Sequence, residues 1–195
     1  MSERFPSKAH EGAAMVDMHE AIEVLLESIG EDPNREGLLE TPGRVAKAWM
    51  EWTCGYHQDV GELLKTFEDG GERYDELILV RDLPFYSHCE HHLAPFFGTV
   101  DIGYIPNGRI VGLSKLSRLV DVFAHRLQVQ ERMTSQIADA LLEHLHPRGV
   151  GVSVSARHLC MESRGIRKQG HHTVTNALRG LIHEDAKARA EFLNR

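Results

Sequence analysis

The densest chemical feature of the chain is Ser87-His88-Cys89-Glu90-His91-His92. Cys89 and His92 have C-x-x-H spacing, so one turn of backbone can aim sulfur and imidazole nitrogen at a single ion. Thiolate and imidazole together favour zinc. The competing reading is a solvated loop with a buried thiol. A third ligand can come from the later segment Ala156-Arg157-His158-Leu159-Cys160. If the strand carrying Val152 and Val154 runs on to Cys160, His158 and Cys160 leave it on one face. Taken alone, that segment reads as a small core cysteine beside a strand histidine. A structural zinc takes four protein ligands, whereas a catalytic zinc takes three and keeps one open position. Cys89, His92 and Cys160 make three, and His91 and His158 remain nearby to move protons. Cys54 has no histidine cluster near it and reads as an ordinary thiol.

A second feature is cationic. Leu113-Ser114-Lys115-Leu116-Ser117-Arg118 puts a hydroxyl, a lysine and an arginine at a predicted helix start, where backbone N–H groups and the helix dipole favour an anion. Lys115 and Arg118 are three apart and can flank one anion. Arg164-Gly165-Ile166-Arg167-Lys168 adds charge just after Cys160, and Arg44 and Lys47 are neighbours on another predicted helix. Each segment alone reads as a solvated basic face. Beside a metal loop, they suggest a polyanionic substrate. The third feature is Val129-Gln130-Glu131-Arg132. An amide and a carboxylate side by side can read the edge of a base, or Glu131 can simply favour a helix N-terminus.

These residues need elements to position them. Apolar periodicity predicts a helix over Ala14–Ile29 with Gly30 at its C-terminal cap. A second helix starts at Thr41-Pro42, with Thr41 as N-cap, and ends at Cys54-Gly55. A short helix is expected over Asp59–Phe67, after a polar and frayed stretch from residue 1 to about 13. Glu76–Leu83 and Phe96–Ile105 read as strands, and Pro106-Asn107-Gly108 as a turn before a short run at Arg109–Val111. Ser114 can cap a helix with the stripe Leu116, Leu119, Val120 and Phe123. The next helix carries Met133, Ile137, Ala140, Leu141 and Leu145 and stops at Pro147. Val150, Val152, Val154 and Ala156 share one face of a strand, which His172–Ala177 can pair with. A helical tail runs from Glu184 to Asn194. Strands in pairs between helices suggest α+β with an antiparallel sheet.

Composition sets the bounds. The 195 residues carry 22 Lys+Arg and 29 Asp+Glu, a net charge of -7, which argues against a general nucleic-acid binder. A 42% hydrophobic and 26% charged composition excludes a disordered or collagen-like chain. Three widely spaced cysteines suit a reducing compartment better than a disulfide framework. With no apolar leader and no apolar run of membrane-spanning length, a cytoplasmic protein is expected. The 13 histidines stand out. His10, His19, His57, His144 and His183 are expected in solvent or packing.

Taken together, the motifs resemble a known family. Cys89-Glu90-His91-His92, Gly112-Leu113-Ser114-Lys115, Gln128-Val129-Gln130-Glu131-Arg132, His158-Leu159-Cys160 and Arg164-Gly165-Ile166 look like the zinc-dependent GTP cyclohydrolase I family. Ile29-Gly30-Glu31-Asp32-Pro33, Glu36-Gly37-Leu38 and Thr41-Pro42-Gly43-Arg44-Val45-Ala46 also match, so the resemblance runs from about Ile22 to the C-terminus. It implies an α+β tunnelling fold, an antiparallel sheet with helices on one side. A helical segment over residues 1–70 would precede a catalytic domain over 71–195. It implies hydrolysis of GTP to 7,8-dihydroneopterin triphosphate and formate, the entry step to folate or tetrahydropterin synthesis. It implies one zinc per subunit on Cys89, His92 and Cys160, with His91 and His158 as catalytic histidines. Gln130 and Glu131 would hold guanine, and Arg44, Lys47, Ser114, Lys115, Arg118 and Arg164 the triphosphate. It also implies a homodecamer with active sites between subunits, and neither nucleic acid nor membrane as a partner. Gly170-His171-His172-Thr173 departs from the family pattern, which would place small polar residues there.

Two other readings stand beside this one: a tunnelling-fold relative with another pterin or deazapurine reaction, and a non-catalytic, zinc-stabilised nucleotide-binding oligomer. A zinc nucleobase deaminase needs P-C-x-x-C after its H-x-E, and the chain has no C-x-x-C.

Overall fold

The computed structural model describes residues 8–64 and 74–194. The chain divides into two compact units, Met1–His57 and Gln58–Arg195. In the first, α1 (Lys8–Ser28) packs on α2 (Thr41–Trp52), and a 3-10 turn follows at Cys54–His57. The helix begins at Lys8, earlier than expected, because Ala, Glu and Met fill its first turns. Gly30, at φ +89°, closes it as expected. Thr41 is not the N-cap of α2. Glu40 holds that position with no side-chain cap bond, so Pro42 falls one place further in.

The second unit opens with α3 (Val60–Leu63), capped by Asp59, whose carboxylate accepts from the Glu62 N–H at 3.0 Å. The remainder of the helix expected to reach Phe67 lies outside the described residues. A five-stranded sheet follows in the order β3-β1-β2-β4-β5, built from β1 (Ile78–Cys89), β2 (Pro95–Ile105), β3 (Leu127–Gln128), β4 (Gly149–His158) and β5 (Thr173–Gly180). All pairs are antiparallel except β1 with the two-residue β3. The first strand was expected to end at Leu83, but β1 runs on through Pro84 to Cys89. The strand continues because β3 pairs only with His88 and Cys89, so the Pro84 nitrogen faces an open edge. Arg109–Val111 is not a strand; only Ile110 makes a bridge.

Helices α4 (Leu113–Ala124) and α5 (Gln130–Leu145) bury their stripes against one face of the sheet. Leu116, Leu119, Val120 and Phe123 of α4 meet Met133, Ile137, Leu141 and Leu145 of α5 over Val150, Val152, Val154 and Ala156 of β4. These are the expected stripes, and the core is held by their burial. The N-cap of α4 is Gly112 rather than Ser114. The expected C-terminal helix is present as α8 (Ala186–Leu193), capped by the Asp185 side chain, and a separate short helix, α7 (Leu181–Glu184), precedes it. Phe192 of α8 packs over Gly103 and Gly151, which pair across β2 and β4 and alternate with the core-facing Ile102 and Val152. A Cβ on either glycine would stand 2.8–2.9 Å from the ring, so only glycine fits. No helix among the described residues is long and apolar enough to cross a membrane.

Candidate active site and metal centre

The site gathers where three strand ends meet. β1 ends at Cys89 and turns tightly into β2, with the Cys89 N–H donating to the Ala94 carbonyl at 2.9 Å and the Leu93 N–H donating back to the Cys89 carbonyl at 2.8 Å. The turn demands φ +53° at Leu93, a left-handed conformation that costs a residue with a side chain about 1–2 kcal/mol. His91 and His92 ride on this turn, exposed. β3 runs beside its start, and the Glu90 N–H donates to the Gln128 carbonyl at 3.0 Å. Two residues on, Gln130 begins α5.

β4 approaches from the other side. It ends at His158 and not at Cys160, as a continuous strand would require; Leu159–Glu162 is a helical turn, α6. That turn swings Cys160 toward the β1 end. The ligand atoms of Cys89, His92 and Cys160 all lie within 4.8 Å of one another, with Cys89 Sγ 3.9 Å from His92 Nδ1. Both cysteines are buried. Burial first, then the adjacent Cys89, pushes the Cys160 thiol above the usual range. Two thiols crowded together and one imidazole suit a thiophilic, tetrahedral cation. Arg157 grips both carboxylate oxygens of Glu162, with Nε to Oε1 at 3.0 Å, and that pair anchors α6; it also holds the Glu162 carboxyl below its ordinary range.

A cavity of about 290 Å³ opens beside these ligands, lined among others by His91, Gln130, Glu131, His158 and Thr173. That volume sits at the lower end of small-molecule pockets, room for a ring system rather than a whole nucleotide. His158 is held on two sides. Its ring stacks on Phe96 at 4.8 Å and 1°, and its Nε2 lies 2.7 Å from Gln130 Oε1. Burial pushes its pKa down, and the Glu131 carboxylate opposes that. Arg132 donates to Glu90 and to the Leu127 carbonyl, tying α5 to the turn after β1. That bond holds the Glu90 carboxyl below its ordinary range.

The structure therefore brings seven predicted residues together: Cys89, His91, His92, Gln130, Glu131, His158 and Cys160. It does not bring in the cationic set. Ser114, Lys115 and Arg118 stand on the first turns of α4 and are absent from the cavity lining. Arg164 is exposed just after α6, close enough to favour the Cys160 thiolate. Arg44 and Lys47 belong to α2 in the first unit, where Arg44 pairs with Glu40. Phe96, Thr173 and Thr175 were missed as site residues. Phe96 meets His158 only through the β2–β4 register, which no local pattern announces.

An α+β chain with two thiols and an imidazole clustered beside a ring-sized cavity is of the class whose residues could hold a metal ion next to a heterocyclic ligand. The sequence model described as GTP cyclohydrolase I matches residues 18–195. GTP cyclohydrolase 1 of Nitrosospira multiformis is 64% identical over 169 residues, 87% of this chain and 88% of that protein. The enzyme of the same name from Thermoanaerobacter pseudethanolicus is 53% identical over 175 residues, 89% and 92% of the two chains. The chain belongs to the GTP cyclohydrolase I family, and its sheet with α4 and α5 on one face is of the tunnelling-fold type.

Proposed function

We propose that this chain hydrolyses GTP to 7,8-dihydroneopterin triphosphate and formate. The observation that carries the reading is the convergence of Cys89, His92 and Cys160 beside a cavity that also presents Glu131 and His158. Family membership supports the same reaction.

Cys89, His92 and Cys160 would hold one zinc ion, and three protein ligands leave a position for water. When bound, the ion supplies Lewis-acid activation of that water near neutral pH. The chain's own groups do the rest. Glu131, at the first turn of α5, accepts the ring N–H and amino hydrogens of guanine and sets its C8 toward the ligand cluster. His158, held between Phe96 and Gln130, passes a proton to the imidazole nitrogen of the purine as the C8 bond opens. His91, exposed on the metal turn, handles protons of the second hydration that releases formate. The ribose then rearranges and the new ring closes. Binding energy from the triphosphate holds the base in this geometry.

A ring-sized cavity and an α4 cation set outside it fit an assembly in which neighbouring copies complete each site. Ser114, Lys115 and Arg118, with Arg44, Lys47 and Arg164, would there grip the triphosphate, and the homodecamer would be the working form. The division into a helical segment over 1–70 and a catalytic domain over 71–195, and a cytosolic location suited to three cysteines outside any disulfide, belong to the same reading. The test is substitution of a ligand. Cys89→Ser and Cys160→Ser each lose zinc and formate release together; a variant that keeps one zinc per subunit overturns the ligand set.

A further inference from the structure

The side chain of Gln130 is 2% exposed and every polar atom in it is engaged. Its Nε2 lies 3.1 Å from the Val154 carbonyl, 2.9 Å from the Thr173 carbonyl and 3.1 Å from Thr175 Oγ1. Carbonyl oxygens only accept, so the amide nitrogen must face them. The threonine polarity follows as well. Thr134 Oγ1 gives its one proton to the Gln130 backbone carbonyl at 2.7 Å. The 2.7 Å contact between Thr134 and Thr175 must therefore be donated by Thr175, whose lone pairs then face Gln130 Nε2. Three acceptors surround the NH₂ group, and flipping the amide would set its oxygen against all three.

The orientation of Oε1 is thereby settled, and it points at His158 Nε2, 2.7 Å away. An amide oxygen accepts, so the imidazole must donate from Nε2. We propose that Gln130 is a positioning residue for His158: the β4–β5 edge orients its amide, and the amide keeps a proton on His158 Nε2. The remaining nitrogen, Nδ1, is then the acceptor the ring presents. Phe96 stacked on the ring face removes the other rotational freedom. Gln130 has no donor left for a bound base, so its contribution runs through His158, while Glu131 does the reading. This inference rests on the reading of His158 as a proton-transfer group.

The test is a double-mutant cycle on the zinc-loaded, full-length chain, following formate release from GTP. Gln130→Met keeps the length of the side chain and removes the amide. It lowers kcat about 100-fold, the scale of a misplaced catalytic group, with KM for GTP and zinc content unchanged. Added to His158→Ala, it costs nothing further, because both substitutions remove one device. A raised KM at unchanged kcat, or losses that multiply in the double variant, overturns the proposal and leaves His158 catalytic. Near-normal formate release by His158→Ala instead sinks the role of His158, and that of Gln130 with it. If Gln130→Met loses zinc or melts early, Thr175→Val takes its place, since it leaves Gln130 intact and removes one of three acceptors. It lowers kcat severalfold without moving KM, and an unchanged kcat is the contrary result.

Discussion

Phe96 and His158 face one another across β2 and β4, and their rings lie parallel with centroids 4.8 Å apart. A flat, fully buried ring thus presses the imidazole against the Gln130 amide. Phe96→Leu keeps the site apolar but removes that plate. Formate release falls about tenfold through lost orientation, and the cavity left costs roughly 1–3 kcal/mol of stability. Steady-state kinetics and thermal unfolding check both. Full activity in a destabilised variant would confine Phe96 to packing.

Glu131 is exposed at the first turn of α5 and lines the cavity. A carboxylate accepting two hydrogens from guanine contributes about 1.5–3 kcal/mol. Glu131→Ala accordingly raises KM for GTP by roughly 10- to 100-fold and narrows the preference for GTP over ATP in competition binding, with zinc retained. Unchanged discrimination counts against its role.

Acid weakens metal binding. Burial and Cys89 raise the Cys160 thiol, so the metal-free chain keeps its proton at neutral pH. Zinc binding must expel that proton, and the bound state holds thiolate. The sign follows: the stabilisation by zinc is present at high pH and is lost as pH falls. Calorimetry in buffers of different ionisation enthalpy shows proton release on zinc binding. Zinc binding with no proton release and no pH dependence contradicts a two-thiolate site.

His146 closes α5 with φ +49° and ψ +46°, and its N–H donates to the Leu142 carbonyl. A left-handed residue with a side chain costs about 1–2 kcal/mol, and glycine is the usual occupant of this cap. His146→Gly raises the unfolding midpoint and leaves kcat unaltered. A lower midpoint would mean that the imidazole has packing value.

The helical stripes of α4 and α5 and the alternation of β4 were legible because each is a local period written in apolar residues. The ligands were legible for a different reason, the chemistry of thiol and imidazole at short spacing. What escaped was non-local. β3 is two residues long and exists because Leu127 and Gln128 find the end of β1. The helical turn at Leu159–Glu162 replaces a strand because the Arg157–Glu162 pair and the approach to Cys89 decide the path there. The commitment of Gln130 to two carbonyls, a hydroxyl and an imidazole depends on β4, β5 and α5 together. Beside Glu131 in the sequence, it reads only as one more polar residue for the ligand.

The direct measurement is incubation of the zinc-loaded chain with GTP, with formate quantified and the products oxidised for neopterin fluorescence. The account predicts one formate per GTP consumed, a fluorescent neopterin triphosphate in equal amount, and neither product from Cys160→Ser. GTP recovered intact, or consumed with its C8 still in the ring, would contradict it.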